Sequence, residues 1–393
     1  MDAEIKHRAM TRAIELAMQG KGHTAPNPCV GAVVVRDDQI LASGWHTRCG
    51  NPHAEVEAIA DAHAQGIDLS TCTLFVTLEP CNHTGKTPPC TRAILRENIP
   101  HVVIGTLDPN AHVEGGGAVF LRSQGVEVEI GVMEQECLDL IADFILWQQN
   151  GRPYSYLKLA TTLDGKIATR TGHSAWVSGE TARNQVHDLR SRVGAIIVGG
   201  ETFRADDPSL TCRMPGFHGT QPWAILVTSR LPEDPKQFQL LRDRPEQTMF
   251  WTSHQATDSS AALRLKDLGC HILPLPPSKT GLDLASGFEY LRRHFSIYAT
   301  LCEGGGRLAM SLVDQGLADE ILFFQTMKIL GDAQGKSCFS GRSIASMHDA
   351  VPFRLGQATR CGEDLFIRLW PKQRPGKQQT GNRPLNTAPG ENA

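Results

Sequence analysis

The sequence predicts an α/β protein built of two domains. Candidate strands and helices alternate along the first part of the chain, a segment containing Gly and Pro at 150–153 interrupts them, and the alternation then restarts. A chain of 393 residues is long enough for two or three domains. We therefore expect domains over 1–150 and 151–371. The Gln-, Asn-, Pro- and Gly-rich segment 372–393 is expected to be a disordered tail.

The first half has the pattern of a three-layer α/β/α sandwich. Apolar residues recur at helical spacing from Ile5 to Ala17, and Gly20 marks the end of that helix. A valine-rich run at 30–35, followed by a turn at Asp37, predicts a buried strand. The predicted helices are 4–19, 53–64, 90–95 and 133–149, and the predicted strands are 30–35, 40–43, 73–77, 101–105 and 126–130.

The second half repeats this alternation with more strands, which predicts a second α/β domain. Its first strand, 155–160, is followed by a polar turn at 161–165. The last two predicted strands, 320–325 and 365–369, are expected to close the sheet as edge strands. The other predicted strands are 195–198, 223–228, 249–252, 270–273 and 297–301, and the predicted helices are 180–192, 258–268, 283–294 and 306–315.

Composition argues against several classes of protein. The formal net charge is −3 and aromatic residues make up 6% of the chain, so no basic field predicts nucleic-acid binding. The N-terminus is polar, and no apolar run reaches the roughly 18 residues that a membrane span requires. Eleven scattered cysteines, an odd number, argue against a disulfide framework and favour a reducing, cytoplasmic location.

The stretch from His53 to Cys90 carries the residues of a catalytic zinc site. His53, Cys81 and Cys90 are of the types that bind zinc, and three protein ligands leave one position open for water. Glu55 is then placed to move protons for that water. The His-x-Glu and Pro-Cys pattern is typical of zinc deaminases, although eight residues, instead of two, separate the cysteines here.

The spacer between the cysteines offers candidate substrate contacts. His83 and Lys86 lie within it, beside any substrate held at the zinc, and a solvated loop is the alternative for both. Asn27, between two prolines, and His46, just after a strand, are further candidates for the pocket wall, with a local loop role as the alternative. A structural zinc module is the non-enzymatic alternative, and it would need a fourth ligand such as Cys72 or His83.

Polar loops follow three of the predicted strands in the second half. Segment 303–307 has three consecutive glycines and begins a helix, so its backbone amides suit a diphosphate. Segments 161–166 and 198–202 are similar turns after strands. Together these loops predict one cleft that binds a dinucleotide and an anionic partner. Arg190 and Arg213 are candidate phosphate ligands there, and surface ion pairs are the alternative for each.

These motifs together resemble a known family, the bifunctional riboflavin-biosynthesis proteins that join a pyrimidine deaminase to a pyrimidine reductase. The eight-residue cysteine spacing is itself typical of that family. The resemblance implies a cytidine-deaminase-like three-layer α/β/α sandwich, followed by a C-terminal α/β domain similar to dihydrofolate reductase. The matching segments are 26–31, 53–55, 77–81 and 85–90 in the first half, and 163–168, 205–208 and 303–305 in the second.

The resemblance further implies two consecutive reactions that use Zn²⁺ and NADPH. The first deaminates 2,5-diamino-6-(5-phosphoribosylamino)-4(3H)-pyrimidinone, and the second reduces the ribosyl group to give 5-amino-6-(5-phosphoribitylamino)uracil. The implied zinc ligands are His53, Cys81 and Cys90, with Glu55 as proton shuttle. The implied NADPH contacts are Ala160, Trp176, Thr202, Asp206, Gly305 and Gly306. The implied substrate contacts in the second half are Lys158, Ser174, Arg190, Leu210, Arg213 and Glu303.

The expected partner is thus a small pyrimidine ribotide, without nucleic acid or membrane, and we expect a homo-oligomer. The alternative enzyme is a deaminase of free nucleosides or RNA bases with an unrelated second domain. RNA binding would call for a basic face with interleaved aromatic residues, which this composition does not provide.

Overall fold

Two β-sheets organise the part of the chain that the structure describes, one of five strands and one of nine. The structure is a computed structural model that describes residues 1–83, 88–109, 116–149, 151–279 and 281–372. All but the first residue of the predicted tail 372–393 therefore lies outside the described residues. No helix in the described ranges is both long and apolar enough to cross a membrane.

The five-stranded sheet has the order β2-β1-β3-β4-β5. Strand β1 pairs antiparallel with β2 and β3, and β3, β4 and β5 run parallel. The strands are β1 (Gly31–Arg36), β2 (Gln39–Trp45), β3 (Thr73–Leu78), β4 (His101–Thr106) and β5 (Glu127–Ile130). The helices are α1 (Ala3–Gly20), α2 (Ala54–Ala64), α3 (Cys90–Arg96), α4 (Gly117–Ser123), α5 (Glu134–Leu140) and α6 (Ala142–Gln149).

Helices cover both faces of this sheet. Successive side chains of a strand point to opposite faces. Val33 accordingly packs in the cluster that contains α1 and α5, whereas Val34 packs in the cluster that contains α2, α3 and α4. The predicted three-layer α/β/α sandwich is therefore confirmed.

The single helix predicted over 133–149 is wrong, because the structure has two helices that meet at Ile141. The carbonyl oxygen of Leu140 accepts hydrogen bonds from the Lys21 ammonium and the Cys29 thiol. The amide of Phe144, which would reach that carbonyl in a continuous helix, donates instead to the Asp143 carboxylate at 2.9 Å. Side chains from distant residues thus replace the helical hydrogen bond.

The nine-stranded sheet has the order β11-β10-β9-β8-β14-β6-β15-β18-β17, and its strands are parallel as far as β15. The nine strands of this sheet are β6 (Tyr154–Thr161), β8 (Ala195–Gly199), β9 (Trp223–Val227), β10 (Thr248–Ser253), β11 (His271–Leu275), β14 (Ala299–Cys302), β15 (Glu320–Gln325), β17 (Phe353–Cys361) and β18 (Asp364–Pro371). Short strands β7 (Lys166–Ala168), β12 (Pro277–Ser278), β13 (Gly281–Leu282) and β16 (Lys336–Ser337) form two small sheets beside it.

Helices also cover both faces of the nine-stranded sheet. One buried cluster includes residues of α7, α8, α9 and α10, and another on the opposite face includes residues of α11 and α12. The helices are α7 (Glu180–Arg192), α8 (Gly200–Asp206), α9 (Gln239–Asp243), α10 (Ser260–Asp267), α11 (Leu284–Phe295) and α12 (Gly306–Asp314).

The prediction that β15 and β18 are edge strands is wrong. Strand β15 lies between β6 and β18, and β18 pairs on its other side with β17, which is the edge. Strand β17 could not be predicted from the sequence, because six consecutive residues, 355–360, are exposed and show no apolar alternation. Gly356 lies in this strand because a Cβ there would fall 1.4 Å from the ring of Trp370.

Two ion pairs hold the helices that follow the five-stranded sheet. Lys21, just after α1, contacts Asp143 of α6 at 2.7 Å, and both side chains are almost fully buried. Arg354 of β17 contacts Asp139 of α5 at 2.5 Å. The helices that follow the five-stranded sheet therefore contact both α1 and the edge of the nine-stranded sheet.

Candidate active sites

The ligand atoms of His53, Cys81 and Cys90 converge on one point beside the five-stranded sheet. His53 is the N-cap of α2, Cys90 is the first residue of α3, and Cys81 lies in the loop after β3. The Nδ1 atom of His53 lies 3.5 Å from Cys81 Sγ and 3.2 Å from Cys90 Sγ. Zinc bonds of ~2.0–2.3 Å in a tetrahedron place donors roughly 3.5 Å apart, so this set of one nitrogen and two sulfurs fits zinc.

The loop that carries Cys81 is tied to the start of α4. The carboxylate of Glu79 accepts backbone hydrogen bonds from Ala118 at 2.9 Å and Asp108 at 3.1 Å. Gly117 is packed so closely that a Cβ there would lie 1.8 Å from the Pro80 carbonyl oxygen. These contacts restrict the Glu-Pro-Cys turn and thereby the position of its sulfur.

Glu55 is buried in the first turn of α2, beside the ligand cluster. Burial, with the negative charge of Cys81 as a smaller cause, raises the pKa of Glu55 to about 7. A carboxyl group with such a pKa can take up and release a proton near neutral pH. The structure thus brings the predicted proton shuttle beside the ligand cluster.

The protein environment also favours a thiolate in the cluster. A hydrogen bond from Cys90, followed by one from His53, lowers the pKa of Cys81 to about 4. The same sulfur–sulfur contact and burial raise the pKa of Cys90. Thiolate is the form of cysteine that binds zinc.

Asn27 and His46 lie next to this centre, as predicted for the pocket wall. The His46 ring is 5.3 Å from the His53 ring in an edge-on arrangement. His46 Nδ1 lies 2.9 Å from the carbonyl oxygen of Pro52, which can only accept, so Nδ1 is the donor. The other ring nitrogen then accepts from the Asn27 amide nitrogen at 3.2 Å, and among the described residues the amide oxygen of Asn27 has no donor.

The remaining first-half candidates are not part of the cluster. His83 is exposed in the loop after Cys81, and Lys86 lies outside the described residues. Cys72 donates to the carbonyl of Asp68 at the start of β3, away from the metal ligands. Among the residues that the structure describes, the metal-binding group contains no fourth member, which disfavours a structural zinc module.

A cavity of about 980 Å³ lies at the carboxyl ends of the parallel strands β6, β8, β9 and β14. In open α/β sheets, ligands bind at this edge of the sheet. The predicted residues that line the cavity are Lys158, Ala160, Ser174, Trp176, Arg190, Thr202, Asp206, Arg213, Glu303, Gly305 and Gly306.

Leu210 is the predicted residue that the structure does not bring to the cavity lining. Its side chain is only 2% exposed and packs in the core cluster that contains α7 and α8. Its carbonyl oxygen accepts from Arg244 at 3.2 Å. A side-chain contact of Leu210 with a ligand is therefore not supported by this arrangement.

Glycines at one end of the cavity allow the surrounding chain segments to pack closely. Gly305 is the N-cap of α12, which begins at Gly306. A Cβ on Gly306 would lie 2.2 Å from the carbonyl oxygen of Ser337, and one on Gly200 would lie 2.4 Å from Thr228 Oγ1. Backbone amides at a helix N-terminus favour a diphosphate, so this end of the cavity fits a dinucleotide.

Charged side chains occupy the other part of the cavity. Arg190 donates two hydrogen bonds to Glu303. Burial alone would raise the pKa of Glu303, but the charge and hydrogen bonds of Arg190 oppose burial, and the pKa is lowered. Lys158 lies half-buried close to this pair, and desolvation lowers its pKa, opposed by Glu303. Among the described residues, Lys158 has no hydrogen-bond acceptor in contact, and its ammonium lies 5.8 Å from the Phe324 ring centre.

Sequence reasoning missed several residues of the cavity wall. Arg183 and His187 lie on α7 with Arg190, at positions i, i+4 and i+7 of one helix face. That spacing on the predicted helix 180–192 was the available signal. Thr228 and Lys336 have no such signal, because a sheet order and a short strand that the sequence does not reveal place them there.

A metal centre on an α/β/α sandwich and a nucleotide cleft on a second sheet define a bifunctional enzyme, a zinc-dependent deaminase joined to an NADPH-dependent reductase. Residues 3–106 match the cytidine and deoxycytidylate deaminase zinc-binding region, and residues 153–367 match the RibD C-terminal domain. The chain belongs to the RibD family of riboflavin biosynthesis proteins. The match over 153–367 excludes the alternative of an unrelated second domain.

Relatives and solved structures agree over nearly the whole chain. It is 38% identical to riboflavin biosynthesis protein RibD of Aquifex aeolicus, covering 93% of this chain and 99% of the relative. It is 34% identical to RibD of Escherichia coli, covering 92% and 98%. The structure of a Thermotoga maritima deaminase/reductase has a TM-score of 0.72 and 35% identity, covering 94% and 99%. That of Acinetobacter baumannii RibD has a TM-score of 0.69 and 34% identity, covering 95% and 100%.

Proposed function

We propose that this chain catalyses two consecutive steps on one pyrimidine ribotide. The first deaminates 2,5-diamino-6-(5-phosphoribosylamino)-4(3H)-pyrimidinone, and the second reduces the ribosyl group of the product to ribityl. The Thermotoga maritima protein is named as a diaminohydroxyphosphoribosylaminopyrimidine deaminase and 5-amino-6-(5-phosphoribosylamino)uracil reductase, which supports this substrate class. The observation that carries the proposal is the presence in one chain of a three-ligand metal cluster with Glu55 beside it and a separate nucleotide-sized cleft.

In the deamination step, Glu55 carries the proton. Bound zinc, held by His53, Cys81 and Cys90, supplies the Lewis acidity that makes a water molecule acidic. Glu55 accepts the proton of that water and delivers it to the exocyclic amine of the pyrimidine, which leaves as ammonia. The amide oxygen of Asn27, oriented by His46, accepts a hydrogen bond from the substrate. His83 and Lys86 contact the substrate from the cysteine spacer.

In the reduction step, side chains of the cleft position the sugar and supply a proton. NADPH, when bound, supplies the hydride that reduces C1′ of the ribosyl group. When the sugar ring opens, the bond between C1′ and the ring oxygen breaks, and that oxygen must take up a proton to become a hydroxyl group. Lys158 supplies this proton, since it is a half-buried cation of the cleft that, among the described residues, has no hydrogen-bonded acceptor. Glu303 and Arg190 hold the sugar beside it.

The remaining cleft residues divide between the cofactor and the substrate. The glycine end, with Gly305 and Gly306, binds the diphosphate of NADPH through backbone amides. Ser174, Arg213 and Leu210 contact the substrate, with Leu210 limited to its backbone. The proposed NADPH contacts are Ala160, Trp176, Thr202, Asp206, Gly305 and Gly306.

We also propose the organisation of the chain in the cell. The deaminase domain spans 1–150, the reductase domain spans 151–371, and 372–393 is a tail. Eleven free cysteines support a reducing, cytoplasmic location. The formal net charge of −3 supports a partner set without nucleic acid or membrane. Exposed apolar side chains near the edge strand β17, among them Ile344, Met347 and Leu355, support a homo-oligomer through this face. Light scattering of the Leu355→Lys variant tests it, because loss of the oligomer is expected.

Incubation of the purified chain with the diaminopyrimidine ribotide, with and without NADPH, tests the proposal. Ammonia and NADPH are followed separately. We expect ammonia release without NADPH, and NADPH oxidation only after deamination. Absence of ammonia release by the zinc-loaded protein, or oxidation of NADPH by the undeaminated ribotide at the same rate, would contradict it.

A further inference from the structure

One face of helix α7 presents three basic side chains to the large cavity. Arg183, His187 and Arg190 follow each other at positions i, i+4 and i+7 and all line the cavity. Arg183 stacks on the ring of Trp176 with 4.6 Å between the guanidinium carbon and the ring centre, and Arg190 is paired with Glu303. His187, between them, has no role in the steps described above.

A hydrogen bond determines which nitrogen of His187 carries the proton. The backbone amide of Arg213 donates to His187 Nδ1 at 3.2 Å. In the neutral ring the proton must then reside on Nε2, which is a donor. Burial, together with Arg190 and Arg213, lowers the pKa of His187, with Glu303 opposing, so the neutral ring is favoured at pH 7. In the described part of the chain, Nε2 has no hydrogen-bond partner.

The charges around His187 suit an anion. The positive charge of Arg190 is already balanced by Glu303. Arg213, by contrast, contacts the Ser209 hydroxyl, and among the described residues no carboxylate pairs with it. The loop that holds Arg213 is the same one that fixes the His187 ring, so the free guanidinium and the Nε2–H donor belong to one corner of the cavity.

We propose that His187 is a further substrate-binding residue of the reductase, whose Nε2–H donates to the 5′-phosphate of the ribotide that Arg213 attracts. The inference rests on the proposed reductase function and adds to it the group that recognises the phosphate. A phosphate dianion offers only acceptors, and an imidazole held by its Nδ1 offers one fixed donor. His187 thereby selects phosphorylated over unphosphorylated sugars.

The test compares His187→Ala, His187→Gln and the control Asn184→Ala, which removes an exposed side chain of the same helix. NADPH oxidation is measured with the deaminated intermediate and with its dephosphorylated form. Since a hydrogen bond to a charged group is lost, we expect His187→Ala to raise KM for the phosphorylated substrate about tenfold with kcat nearly unchanged. KM for the dephosphorylated form is expected to stay as in the parent. His187→Gln restores part of the affinity, because its amide nitrogen reaches nearly the same place as Nε2.

Binding of ribose 5-phosphate and of NADPH, measured by calorimetry on the same proteins, separates the possible failures. We expect His187→Ala to weaken ribose 5-phosphate and leave NADPH unchanged. Equal losses for both sugar substrates, or no loss of ribose 5-phosphate affinity, would overturn the role of His187. If the parent does not oxidise NADPH but His187 still governs ribose 5-phosphate binding, the reductase function fails and the phosphate site stands.

Discussion

Arg190 and Glu303 form a buried ion pair with two hydrogen bonds, from Nε to Oε1 at 2.6 Å and from Nη2 to Oε2 at 2.9 Å. Arg190 belongs to α7 and Glu303 follows β14, so the pair connects a helix to the end of the central strands. Arg190 also donates to the carbonyl of Thr211 at 3.0 Å. The pair therefore fixes both sides of the reductase cleft relative to each other.

Replacing Glu303 by Gln is expected to remove reductase activity and spare deamination. The change leaves Arg190 as a buried charge without its partner, which costs about 3 kcal/mol in the free energy of unfolding. Urea denaturation and NADPH oxidation measure the two effects. Glu289→Gln is the control, since it removes an exposed partner of Arg293 and should change stability by less than about 0.5 kcal/mol. Parent-level reduction by Glu303→Gln would contradict the assignment.

The stabilisation by this pair should depend on pH in one direction. Burial alone would raise the pKa of Glu303, but Arg190 outweighs burial and lowers it in the folded protein. A carboxyl group with a lowered folded pKa stabilises the protein above its unfolded value, roughly 4.3, and this contribution is lost as the pH falls through the lowered value. The difference in unfolding free energy between parent and Glu303→Gln should shrink below about pH 4. A difference that grows on acidification would refute this account.

Replacing Cys90 by Ser is expected to release zinc and abolish deamination. One sulfur of the three-ligand cluster is lost, and a hydroxyl group is a much weaker zinc ligand. Metal analysis of the purified protein and ammonia release should both fall at least about a hundredfold, while NADPH oxidation with the deaminated intermediate persists. Cys72→Ser serves as the matched control, because Cys72 lies outside the cluster. Zinc retained at parent level by Cys90→Ser would exclude this ligand set.

A methyl group at Gly117 should disturb the metal centre without touching it. A Cβ there would lie 1.8 Å from the Pro80 carbonyl oxygen, so the turn that carries Cys81 must shift. We expect Gly117→Ala to lower zinc affinity about tenfold, measured by competition with a chelator. Val119→Ala, an exposed position in the same helix, should leave the affinity as in the parent. Unchanged zinc affinity in Gly117→Ala would show that the turn is not held by this contact.

The metal ligands could be predicted because each depends on local sequence. His53 and Cys90 stand at the starts of amphipathic helices, and Cys81 follows a buried strand, so the pattern that identifies the residues also places them. The break at Ile141 could not be predicted, because Lys21 and Cys29, more than a hundred residues away, take the carbonyl that would continue the helix.

Some residues of the cavity wall could likewise be predicted from local sequence, and others could not. The glycines that follow predicted strands indicated the end of the cavity proposed for the cofactor, because ligands bind at the carboxyl ends of strands in a parallel sheet. Leu210 was predicted as a substrate contact from resemblance, and its burial depends on packing between α7 and α8 that no local pattern shows. The edge strand β17 was missed because six consecutive residues, 355–360, are exposed and show no apolar alternation, and only its pairing with β18 defines it.

The most direct test of the account is NADPH oxidation by the Glu55→Gln variant with each of two substrates. We expect parent rates with the deaminated intermediate and a loss of about 10²–10⁴-fold with the diaminopyrimidine ribotide, because only Glu55-dependent deamination makes the reducible form. Zinc content should stay as in the parent, and Glu57→Gln in the same helix should behave as the parent. Parent-rate oxidation of NADPH by Glu55→Gln with the diaminopyrimidine ribotide would contradict the claim that two separate sites act in this order.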